Sequence, residues 1–88
     1  MSEINQITGR QLAAARALTG LGQADLAALA SISAPTLRRM EASEGPLTGM
    51  ANNIAAVVRV LYEHGVLFIE GPYSGDGGPG VRLRDRQP

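Results

Sequence analysis

The chain of 88 residues carries eight cations and eight acids, so its formal net charge is zero and no basic balance advertises a nucleic-acid partner. At 44% hydrophobic and 18% charged it fits one small folded domain, with an aliphatic core because aromatics supply only 3%. It has no cysteine, which excludes a disulfide framework, a thiolate metal site and a cysteine nucleophile.

All eight cations are arginine. That residue suits bidentate contact with guanine edges and phosphates, although a GC-rich coding sequence produces the same bias. The start, Met1-Ser2-Glu3-Ile4-Asn5, lacks the basic-then-apolar plan of a signal peptide, and no apolar run is long enough to span a bilayer. A cytoplasmic protein is expected, with no membrane partner. Residues Met1 to Gln6 read as a loose arm.

A helical pattern begins at Thr8, with Leu12, Ala15 and Leu18 on one stripe, and stops at Thr19-Gly20. A second helix is expected over about 22–30, burying Leu26, Leu29 and Ala30, with Asp25 near its positive end. Ser31-Ile32-Ser33 forms a turn in which Ile32 plugs the core and Ser33 caps a third helix over about 33–43. Pro35 sits in that helix's first turn, where its missing N–H costs nothing. Leu37, Met40 and Glu41 face inward, and Pro35, Arg38, Arg39 and Ala42 face out.

Ala42 to Thr48 is a loop. A fourth helix follows over about 49–64, with Met50, Ile54, Val57, Val58 and Leu61 at helical spacing. Beyond Gly65 the pattern changes. Val66–Ile69 is a β-prone run, and Val81–Arg84 alternates with period two. The Gly-rich stretch 71–80 between them makes a hairpin, which is marginal alone and should pack on a helix or on a partner's sheet.

Three segments taken together resemble the Cro/phage-repressor class of helix-turn-helix regulators, the XRE family. They are Gln23-Ala24-Asp25-Leu26-Ala27, Ser31-Ile32-Ser33 and Leu37-Arg38-Arg39-Met40-Glu41, and the resemblance runs from about Ile7 to Leu61. The ending Gly78-Pro79-Gly80-Val81-Arg82-Leu83 is similar to that of a subset of the family whose helices finish in a strand pair. The resemblance implies a mostly α, lambda-repressor-like helix-turn-helix domain of about four helices (1–64) with a short C-terminal β-hairpin (65–88). It implies a sequence-specific DNA-binding regulator, expected to repress, with double-stranded DNA as partner.

By family position Gln23 meets a phosphate, Arg39 reads a base, and Arg38 reads a base or binds the backbone. Ala34 and Pro35 stand where the family often places base-reading amides or hydroxyls. Here they are left to touch a thymine methyl or to shape the helix start. Ser33 and Thr36 either bind phosphate or cap the helix. Arg16 and Glu41 match a pair that fixes the third helix on the scaffold, so Glu41 is not counted as a binding residue. A homodimer is expected, because one helix with two arginines reads too few base pairs. Its joint is expected in the hairpin and in Val57, Val58 and Leu61.

A protein-interaction module on the same fold, an antitoxin or an RNA-polymerase adaptor, is the alternative. Net neutrality and the apolar Ala34 and Pro35 favour it. No catalytic residue, cofactor site or metal site is expected: the single histidine, His64, has no partner residues and suits the end of a helix. The Gly-rich stretch lacks a Walker-type lysine, and Asp76 lacks the companions of a calcium loop. Arg82, Arg84 and Arg86 alternate on one strand face that is read as solvated.

Overall fold

Four helices precede a two-stranded antiparallel sheet in the computed structural model: α1 (Gly9–Thr19), α2 (Gln23–Leu29), α3 (Ala34–Glu41), α4 (Ala51–Glu63), β1 (Val66–Ile69) and β2 (Gly80–Leu83). The structure describes residues 7–47, 49–69 and 79–84. The loose arm, most of the Gly-rich stretch and Arg86 lie outside the described residues.

Thr8 starts α1. Its hydroxyl accepts the Gln11 N–H at 3.1 Å, and Gln11 Oε1 accepts the Thr8 N–H at 2.9 Å, so two otherwise orphaned donors satisfy each other's residues. Gly20, at φ +80°, ends α1 in the left-handed region open to glycine. Asp25 accepts the Gly22 N–H at 3.3 Å at the entry to α2. That helix leaves through a Schellman turn: Ile32 N–H donates to Ala27 O at 2.9 Å and Ser31 N–H to Ala28 O at 3.1 Å. Ser31 holds the left-handed position, at φ +60°. Ser33 then caps α3 by accepting the Thr36 N–H at 3.2 Å.

The core is aliphatic. Leu12, Leu26, Leu37, Met40, Leu61, Val57 and Val66 are fully buried, each worth about 1.5–3 kcal/mol of transfer free energy. The loop after α3 returns along the segment before α1, where Leu47 N–H donates to Ile7 O at 2.8 Å. Gly9 brings α1 against the end of α3. A Cβ there would stand 2.7 Å from the carbonyl oxygens of Met40 and Glu41, and nearer still to that of Ser43.

In the hairpin Val66 opposes Leu83 and Ile69 opposes Gly80. Val66 is buried in the helical core, and Phe68 and Val81 pack against it. Gln11 fastens the sheet to α1. Its Nε2 donates to Ile69 O at 3.0 Å and Gly80 O at 2.9 Å, and the residue is only 5% exposed.

Several expected positions differ. Leu18, Leu29 and Met50 are exposed rather than buried. A three-residue step turns only about 300°, so Leu18 lies roughly 120° round from Leu12 and off the buried stripe. Leu29 falls on the far side of Leu26 from Ala27 and Ala30, which are buried. Met50 is the N-cap of α4, in extended backbone, and so has no place on the helix's stripe. Val57 and Leu61, expected to serve a partner protomer, are enclosed in this chain's own core, and Val58 packs against it. The second strand sits one residue earlier than Val81–Arg84, although Arg84 N–H still reaches Gly65 O at 2.6 Å.

Candidate nucleic-acid interface

The residues of α3 divide cleanly. Leu37 and Met40 anchor the helix in the core, while Pro35, Arg38 and Arg39 are exposed. The Ser33 hydroxyl donates to Thr36 Oγ1 at 2.8 Å, and Arg39 Nη2 donates to the same oxygen at 3.3 Å. Cap, hydroxyl and guanidinium therefore form one chain along the outer face. Arg38 and Arg39 are both exposed, and neither forms an ion pair with a described residue. Ala34 is half-buried and packs against the core.

Beside this face lies a cleft of about 310 Å³ between α3 and the start of α4, lined by Thr36, Arg39, Met40, Gly49, Met50 and Asn53. Met50 and Asn53 carry no sequence signal for this place. They reach it because α4 begins beside Arg39.

Behind the face, α3 is tied to the scaffold. Arg16 Nε donates to Glu41 Oε2 at 2.7 Å and Nη2 to Oε1 at 3.1 Å, a side-on bidentate pair. Arg16 Nη1 also donates to Leu21 O at 3.3 Å. The pairing the resemblance implied is thus present in geometry. The hydrogen bond to Glu41, aided by its charge and opposed by burial, raises the Arg16 pKa above its ordinary value.

Gln23, expected at a phosphate, is half-buried at the first position of α2, and its Nε2 donates to Glu41 Oε1 at 3.0 Å. Nothing in the sequence connects the two residues. They are 18 positions apart, and only the turn of α3 across α2 brings them together.

A second cleft, of about 510 Å³, lies at the other end of α4, among Leu18, Thr19, Glu63, His64, Gly65, Leu83 and Arg84. His64 Nδ1 is 2.9 Å from Val60 O and ends α4, as a histidine in the last turn should. Arg84 stacks 4.6 Å from the Tyr62 ring centroid and donates to Tyr62 O at 2.9 Å. Among the described residues no group of three His, Cys, Asp or Glu side chains is placed to hold a metal ion, and no helix is long and apolar enough to cross a membrane.

Compared with known proteins, the chain matches no protein-family model, and no curated protein matches it significantly.

Proposed function

We propose that the chain is a sequence-specific DNA-binding transcriptional regulator of the Cro/phage-repressor kind, with α2 and α3 as its helix-turn-helix and no enzymatic activity. The observation that carries this reading is the outer face of α3. It holds two exposed guanidiniums, neither in an ion pair with a described residue, beside a capped helix start on a helix whose other side is locked into the core. Arg39 and Arg38 enter the major groove, where guanine presents two acceptors and a guanidinium presents matching donors. Ser33, Thr36 and Gln23 meet the phosphate backbone, and Ala34 and Pro35 shape the helix start. Two protomers read related half-sites, and the protein works in the cytoplasm as a repressor.

Genome-wide mapping of bound sites, followed by fluorescence anisotropy over a salt series, tests the reading. Affinity for the best site must fall linearly on a log–log plot as salt rises, because binding releases counterions from neutralised phosphates. Salt-independent binding, or none, refutes it. One observation favours the protein-interaction reading. Leu18 and Leu83 are large exposed apolar residues that line one cleft beside the hairpin, and none of the residues of the arginine face lines it.

A further inference from the structure

Gln23 has three side-chain rotors, and a free glutamine amide presents either end to a ligand at an entropic cost. In this fold the choice is already made. Glu41, whose side chain is only 8% exposed, takes the amide nitrogen on Oε1. A carboxylate accepts and never donates, so the nitrogen and not the oxygen of the amide must face it. The same carboxylate is filled from the other side by Arg16, which is itself held by Leu21 O. The amide of Gln23 therefore hangs from a base built of α1, the turn before α2 and the last residue of α3. One of its two N–H bonds is used, and among the described residues no acceptor takes the second, which is thus available to an acceptor outside the protein. For an anionic acceptor this orientation attracts, where the flipped amide would present an oxygen and repel.

We infer that Glu41 is a positioning residue for Gln23, setting the amide so that its second N–H meets a DNA phosphate while α3 lies in the groove. The inference rests on the DNA-binding reading and deepens it. Because Glu41 ends α3, the phosphate contact and the groove contact share one frame, and the spacing between them is fixed before DNA arrives. Glu41 itself stays off the DNA, its oxygens occupied by Arg16 and Gln23.

A double-mutant cycle on the full chain is the test, read by anisotropy at the mapped site. Gln23→Ala should weaken binding about 3–10-fold in the native background, the size of one lost phosphate hydrogen bond. In a Glu41→Ala background the same change should cost less than about twofold, because neighbouring effects that share a partner do not add. Arg39→Ala, whose guanidinium bonds Thr36 and not Glu41, should keep more of its effect in the Glu41→Ala background than Gln23→Ala does. Should Glu41→Ala unfold, the combined swap Arg16→Met/Glu41→Leu supplies the background, since a pair replaced whole by apolar residues often preserves the fold. Equal costs for Gln23→Ala in both backgrounds overturn the inference. A second reading needs no DNA. In the free native protein, the Gln23 side-chain amide should show slowed hydrogen exchange that is lost in the Glu41 variants. A freely exchanging amide in the native protein overturns the positioning role whatever the DNA result. Failure of the DNA-binding reading looks different: a protected amide in a protein that binds no sequence at any salt concentration, which overturns the phosphate role too.

Discussion

Replacing Gly9 by alanine sets two effects against each other. Alanine is the better helix former, by up to about 1 kcal/mol in a helix interior, so propensity alone forecasts a more stable α1. The added methyl, however, would meet three carbonyl oxygens at the end of α3, two at 2.7 Å and one closer. These are backbone atoms and cannot rotate aside as a side-chain tip would, so α1 and α3 must separate. Overpacking of this kind costs about 1–3 kcal/mol, with the upper end expected where backbone must move. After the propensity gain, a net loss of about 2 kcal/mol is expected, lowering Tm by roughly 8–16 °C for a domain of this size. Calorimetry and urea melts with an unchanged m-value are the assay. Gly20→Ala is the control: its φ of +80° penalises alanine but nothing lies within 4 Å of the added methyl, so its cost should be near 1 kcal/mol. A Gly9→Ala protein that melts at or above the native temperature would refute the close approach of α1 to α3.

Arg39→Ala should cost about 1–3 kcal/mol at the best mapped DNA site and much less on random DNA, as competition anisotropy will read. Arg16→Ala or Glu41→Ala should lower stability by about 2–4 kcal/mol, somewhat below the cost of breaking a fully buried pair because Arg16 remains 24% exposed. The raised Arg16 pKa means this contribution is fully present below the ordinary arginine range and is lost only as pH climbs through the folded value, so melts between pH 6 and about 9 should show no loss traceable to Arg16. Ser31→Gly should raise stability by about 0.5–1 kcal/mol in chemical denaturation, since glycine holds a left-handed turn without strain. Light scattering should show a dimer for the native protein. Leu83→Arg, which puts charge on the exposed apolar end while leaving the core intact, should yield monomers with retained helicity.

The helices were legible because their signals are local. Thr8, Gly20, Ser33 and Pro35 mark ends by chemistry that acts within three or four residues, and each stands at the end it marks. The inward set of α3 was legible for the same reason, since Leu37 and Met40 are one short turn apart. Leu18 and Leu29 misled because spacing by three drifts off a stripe that apolar character alone does not centre. Gln11 could not be read as buried at all. Its partners are carbonyls on strands 58 and 69 positions away, and backbone oxygens carry no sequence signature. The tie between Gln23 and Glu41 was hidden in the same way, by dependence on the crossing of two helices.

The long reach of Gln11 also bears on how this chain is made. The ribosome delivers α1 before the hairpin, with its cap already complete, but the Gln11 amide lacks its pair of carbonyl acceptors until both strands have emerged. Until then its donors must stay hydrated, so the face of α1 that carries it cannot enter a dry core. Val66, which closes that core from the first strand of the hairpin, lies opposite Leu83 on the second. A chain lacking the two strands is therefore expected to be looser and more readily cleaved than the native protein, as limited proteolysis will read. A nascent chain arrested at Gly65 would carry every residue of the arginine face and still lack a rigid surface on which to present it.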